Sequence, residues 1–304
     1  MKKALVVSLI LTNLFAFKVT NYKPIKGCIL AEDNSTKVAI REFRVKDKKY
    51  HLLVDPNSLK TTIVNATNLY SCPKDINNTR YYRLLEASIS NPKHPLENDG
   101  ITSANSGIYL TTDLCPSSKR GFEEELYKSV IEKFPNPVPI TLFITKKWIY
   151  KHKKEFNQLK RWQKEKKLDI IWGNHTANHI YHKNLPLNKN FVLSKEENLP
   201  KDILELEAYL IENGVTPSIF FRFPGLVSNK KAIMQVANFG LITIGSDTWL
   251  AIGGELKDGS IILLHGNKNE PKGIKIFLKL LNKGKIERLD TLNNIDLPSK
   301  QILE

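Results

Sequence analysis

Long apolar runs are nearly absent from this chain of 304 residues. Beyond the first 17 residues nothing approaches the ~20 consecutive apolar residues of a membrane-spanning helix, so no later span is predicted. Cysteine is scarce: only Cys28, Cys72 and Cys115 occur. None forms a C-x-x-C pair, which removes cysteine-only zinc motifs and thioredoxin-like redox motifs. Internal repeats and low-complexity tracts are missing, so a solenoid or a repeat array is not predicted. Finger, RNP-like and helix-turn-helix patterns are missing as well, and nucleic-acid binding has no motif behind it.

What is present is ordinary globular material with an unusual charge. Hydrophobic residues make up 41% of the chain, and the formal net charge is +15. The length suits one large domain, or one domain plus a small one. A basic balance of this size favours anionic partners such as acidic cell-wall polymers or anionic lipid, or else marks a solvated basic surface. The Lys-rich stretch from Trp148 to Leu168 reads first as a solvated helix face, and second as a contact for an anionic polymer.

The N-terminus carries a pattern of its own. Lys2 and Lys3 precede an apolar run from Ala4 to Phe17. A short basic segment before a short apolar one reads as a signal peptide over residues 1–17, implying export to the periplasm, the cell envelope or the medium. In an exported protein Cys28 and Cys72 could form a disulfide, leaving Cys115 unpaired.

Residues 18–107 are predicted to be a small β-rich region ending in a linker. Val38, Ile40, Phe43 and Val45, then Tyr50, Leu52 and Val54, flank a polar Lys46–Lys49 turn, which is a hairpin pattern. Residues 91–107 are rich in Pro, Asn, Ser and Gly and read as the linker. From residue 108 to 304, short apolar runs alternate with helical patterns. Strands are predicted at Ile108–Thr111, Ile140–Ile144, Asp169–Trp172, Ile219–Arg222, Leu241–Ile244, Ser260–Leu264 and Ile286–Leu289. Helices are predicted at Phe122–Phe134, Trp148–Leu168, Asp202–Asn213, Lys230–Phe239 and Lys275–Asn282. This alternation argues for an α/β domain with a mostly parallel sheet or barrel, whose functional residues gather at the C-terminal strand ends.

Polar residues recur at those ends. Asp113, the pair His175 and His179, Arg222, Asp247 and His265 each follow or close a predicted strand. His175-Thr176-Ala177-Asn178-His179 is an H-x-x-x-H pair. On a helical turn it would aim both imidazoles at one metal ion.

In this order the residues resemble the polysaccharide deacetylase family (NodB homology domain, carbohydrate esterase family 4) over about residues 108–300. Thr111-Thr112-Asp113-Leu114-Cys115-Pro116 is similar to its T-F-D-D-G-P motif, and His175, Thr176 and His179 match H-[ST]-x-x-H. Arg222-Phe223-Pro224-Gly225 resembles R-x-P-Y, Asp247 and Trp249 resemble its fourth motif, and Leu263-Leu264-His265 matches L-x-H.

The resemblance implies a distorted (β/α) barrel and a metal-dependent hydrolase that removes N-acetyl groups from amino sugars of a cell-wall or surface polysaccharide. It implies Asp113 as general base and His265 as general acid. Arg222 would hold Asp113 ionised, and Asp247 would orient His265. His175 and His179 would be metal ligands, to zinc as the expected ion. Trp249 would line the acetyl pocket, and the Gly225 backbone would support the oxyanion. A bound divalent ion lowers the pKa of water from about 15.7 to about 7, which supplies the nucleophile amide hydrolysis needs.

Two departures matter. Leu114 stands where the family has an aspartate ligand, so the third ligand is expected to be Asp113 or His182, with Cys115 a further alternative. Gly225 stands in place of the third motif's tyrosine. Leu114 also leaves open a second reading: a catalytically inactive glycan-binding or envelope-assembly protein on the same fold. A hydrolase for another amide or ester is a third.

Overall fold

The computed structural model describes residues 17–89 and 97–297. The predicted signal peptide lies outside these residues except for Phe17, as does the first part of the predicted linker. No helix among the described residues is long and apolar enough to cross a membrane.

The N-terminal region is an antiparallel sheet of β1 (Val19–Leu30), β2 (Thr36–Val45), β3 (Lys48–Val54) and β4 (Thr61–Asn65), in that order. The predicted hairpin is β2–β3, closed by Lys46 at φ 52°. Helix α1 (Arg80–Ala87) follows. Cys28 and Cys72 are joined by a disulfide, and Cys115 is free and buried.

The rest alternates strand and helix: β5 (Tyr109–Leu114), α2 (Glu124–Lys133), β6 (Val138–Ile144), α3 (Lys146–Lys151), α4 (Lys153–Lys164), β7 (Leu168–Asn174), α5 (Leu199–Glu212), β8 (Phe220–Phe221), α6 (Lys230–Asn238), β9 (Ile242–Thr243), β10 (Thr248–Trp249), β11 (Ile261–His265) and α7 (Pro271–Asn282). The strands form a curled, seven-stranded parallel sheet in the order β10-β11-β5-β6-β7-β8-β9, the half-barrel form of the expected (β/α) barrel. Bridges Ile101–Ile244 and Ser103–Ser260 lay the segment before β5 between the two ends of the sheet.

Side-chain alternation along the strands divides the core. Leu110 and Leu114, Leu142 and Ile144, Ile170 and Trp172, and Ile262 and Leu264 face one core shared with α2, α4 and α7. The intervening residues Tyr109, Phe143, Ile171 and Ile261 face a second core shared with Val38, Leu52 and Val54 of the N-terminal sheet and Leu84 of α1. A buried Arg41–Glu207 pair, Nε to Oε2 at 2.6 Å and Nη2 to Oε1 at 3.0 Å, ties β2 to α5. The N-terminal sheet therefore forms one inner wall of the half-barrel.

At three places the secondary structure differs from the sequence reading. The helix predicted over Trp148–Leu168 is two helices, broken at His152 (φ −117°, ψ 47°), whose ring stacks on Trp148 and approaches the Ser117 carbonyl. The strand predicted at Ile286–Leu289 is irregular backbone whose apolar side chains are buried against the helical core. β10 was not anticipated, because two residues carry no readable period.

Candidate active site

The site is assembled at the C-terminal ends of the parallel strands. In the β11–β5 ladder His265 pairs with Asp113, so the two side chains stand next to each other on the inner face. His175 follows β7 and Arg222 follows β8 by one residue each. Asp113 and His265 border a cleft of about 940 Å³, lined also by Cys115, His179, Trp249 and Glu270, while His175 and Arg222 are fully buried.

Asp113 is 3% exposed and its Oδ1 accepts from Arg222 Nη1 at 2.8 Å. Its Oδ2 lies 3.8 Å from His175 Nε2. Arg222 is fully buried and uses its whole fork: Nη1 also donates to Thr111 Oγ1, Nη2 to the Gly245 carbonyl and Nε to the Ile244 carbonyl. Its guanidinium carbon lies 4.2 Å from the Phe143 ring centroid. Gly173 makes that ring position possible, because a Cβ there would meet the Phe143 ring at 2.6 Å.

The H-x-x-x-H segment is not helical. Thr176 (φ 66°) and His179 (φ 47°) both adopt left-handed backbone. Side chains hold this loop: Asn174 Oδ1 accepts from the Thr176 N–H, Thr176 Oγ1 from the His179 N–H, and Asp202 from both nitrogens of Asn178. The rings nevertheless meet, with centroids 5.0 Å apart. His175 Nδ1 donates to the Arg222 carbonyl at 2.8 Å, since a carbonyl can only accept, and this leaves Nε2 on the side of Cys115 and Asp113.

The residues present fit a cation. The donor atoms of Cys115, His175 and His179 all lie within 4.8 Å of one another. His179 Nε2 is buried with no hydrogen-bond partner among the described residues. A buried donor atom left unpaired is costly unless something binds it. Burial, the largest influence on the Cys115 thiol, opposes its ionisation. The His179 and His175 imidazoles outweigh it and hold the thiol well below its ordinary value. Asp113 and His182 are not members of this cluster; His182 pairs instead with Glu196 at 3.5 Å.

The carboxylate bonded to His265 is Glu270, Oε2 to Nδ1 at 3.0 Å, and not Asp247. The same Oε2 accepts from Trp249 Nε1 at 2.8 Å. Asp247 is turned to the backbone instead: its Oδ1 accepts from the Ile261 N–H, and its Oδ2 lies 3.3 Å from Lys257 Nζ. Linear motif order pointed to Asp247. Glu270, five residues past His265 at the cap of α7, carries no motif signal. Burial works to lower the His265 pKa, but hydrogen bonds to Cys115 and Glu270 raise it well above the ordinary imidazole value. Gly225 lines the cleft at φ 63°, and a Cβ there would meet the Phe191 ring at 2.5 Å. Phe191 thus occupies the space a third-motif side chain would need.

The strand ends of the half-barrel thus bring together a fixed carboxylate, an imidazole bonded to a second carboxylate, and three donor atoms that could hold a metal ion. Comparison with known proteins places part of the chain in a family: residues 101–244 match polysaccharide deacetylase. Residues 20–89 match the RP012 protein N-terminal domain. Among solved structures, a family 4 carbohydrate esterase from Bacillus anthracis is 18% identical, with 75% of this chain and 95% of that chain covered at a TM-score of 0.49. The chitin deacetylase from the fungal pathogen Colletotrichum lindemuthianum is 17% identical, with coverage of 66% and 92% and a TM-score of 0.46. A family 4 carbohydrate esterase from Streptomyces lividans is 16% identical, with coverage of 65% and 100% and a TM-score of 0.42.

Proposed function

We propose that this chain is an exported, metal-dependent amide hydrolase that removes N-acetyl groups from amino sugars of a cell-wall or surface polysaccharide. The observation that carries the reading is the division of labour at Asp113. One carboxylate oxygen is committed to Arg222, and the other stands free beside His175 at the cleft.

His175 and His179 would hold the divalent ion, zinc as the expected one; when bound it would supply Lewis-acid polarisation of the acetyl carbonyl and a lowered pKa for water. Asp113 takes the proton of the attacking water through its uncommitted oxygen, while Arg222 keeps the carboxylate oriented. His265 carries a proton and gives it to the departing sugar nitrogen as the C–N bond breaks, so the products are acetate and a free amino sugar. Glu270 holds the His265 ring and supports its imidazolium form, the role that sequence order gave to Asp247. Trp249 lines the acetyl pocket, and the Gly225 backbone N–H serves the oxyanion.

Incubation of the full chain with N-acetylglucosamine oligomers tests the reading. Free amines should accumulate with the wild type and not with Asp113→Asn. Binding of the oligomers without release of amine would favour the glycan-binding alternative.

A further inference from the structure

The Cys115 thiol has no task in this hydrolytic scheme, yet it is buried in the middle of the site. β5 explains how it arrived there. Tyr109, Thr111 and Asp113 share one face of the strand, and Leu110, Thr112 and Leu114 the other. Leu114 is fully buried in the core beside α2 and α7, so a donor on that face would point away from the histidines. Cys115 is the next residue with the phase of Asp113, and its Sγ lies 3.5 Å from His175 Nε2.

The backbone at this point is held on both sides. Thr145 donates its hydroxyl to the Leu114 carbonyl, and Asn267 Nδ2 donates to the Cys115 carbonyl at 2.8 Å. The partners are prepared for an ion as well. His175 has its far nitrogen tied to a carbonyl, the outer support that ligating histidines characteristically have. His179 presents a buried nitrogen with no hydrogen-bond partner among the described residues.

We propose that Cys115 is the third protein ligand of the cation site, replacing the carboxylate that the family resemblance puts at position 114. The site is then a thiolate and two imidazoles, which selects zinc-like ions over magnesium and manganese. The thiol proton passes to solvent as the metal–sulfur bond forms. The inference shares the cation site with the hydrolase reading, but its test reads metal and sulfur rather than turnover.

Cysteine counting makes the test clean. Cys28 and Cys72 are bonded to each other, so Cys115 is the one free thiol of the chain. The full chain, stripped of metal and reloaded with cobalt(II), should show a thiolate-to-cobalt charge-transfer band. Zinc, but not a large excess of magnesium, should protect Cys115 from iodoacetamide. Cys115→Ala should lose the band and weaken zinc binding by more than the ~10–100-fold that loss of a supporting partner costs. Cys115→Asp, a conservative ligand that guards against misfolding of the alanine variant, should bind zinc without the band and accept manganese better. A cobalt-loaded wild type without the band, or zinc affinity unchanged in Cys115→Ala, would overturn the assignment. A wild type that shows the band but releases no acetate would uphold it and overturn the hydrolase reading alone.

Discussion

Arg222 and Asp113 form a buried ion pair, Nη1 to Oδ1 at 2.8 Å, between residues 109 positions apart in the chain. The remaining guanidinium bonds run to backbone carbonyls and Thr111, so the arginine is immobile and fixes one carboxylate oxygen in turn. Removing one partner of such a pair strands the other charge in a dry environment. Arg222→Ala should therefore lower unfolding free energy by about 3–5 kcal/mol in a denaturant titration. Arg222→Lys should recover part of that but not activity, because a lysine lacks the planar fork.

His265, Glu270 and Trp249 are chained through one carboxylate oxygen. If Glu270 acts only through His265, the two substitutions should not add. His265→Ala should reduce kcat by ~100- to 10,000-fold. Glu270→Gln should reduce it less, with KM little changed. In the His265→Ala background Glu270→Gln should have no further effect, which steady-state kinetics of the double mutant would check.

Gly225 is constrained twice, by its positive φ and by Phe191. Gly225→Ala should destabilise by at least the ~1–2 kcal/mol of a left-handed non-glycine residue. Adding Phe191→Ala should return the steric part of the loss while leaving the backbone part. Thermal unfolding of the single and double variants separates the two.

Glu197 gives a pH signature outside the reacting groups. Burial and the neighbouring Asp202 carboxylate push its carboxyl from 4.5 up to about 8. The folded chain holds a proton that the unfolded chain releases. Its contribution is thus intact below about pH 4.5, erodes as pH rises, and is gone above about pH 8. Glu197→Gln should raise the melting temperature at about pH 9 and change it little at about pH 5. Because Asp202 also holds Asn178, the same substitution should steady the His179 loop at alkaline pH.

Much of the half-barrel is legible in the sequence because its strands are short apolar runs and its helices are periodic. Residues at strand ends could be placed at one rim for the same reason, and Asp113, His175, His179, Arg222 and His265 do meet there. The failures share a physical cause: side chains that rebuild the backbone locally. Asn174 and Thr176 turn an apparent helical pair into a left-handed loop. His152 interrupts a helix whose apolar period runs through it. The partner of His265 was invisible because the loop after β11 folds back, and only the fold decides whether Asp247 or Glu270 reaches the ring. Leu114 looked like a lost ligand in linear order. Strand phase assigns that position to the hydrophobic core and brings Cys115 to the histidines.

Acetate release from N-acetylated glycan by zinc-loaded full chain, compared between wild type and Asp113→Asn, bears most directly on the account. The wild type should liberate one acetate per free amine formed, and the variant should fall by ~100-fold or more while still binding metal. Equal rates in the two proteins, or no acetate from a wild type that carries its ion, would contradict it.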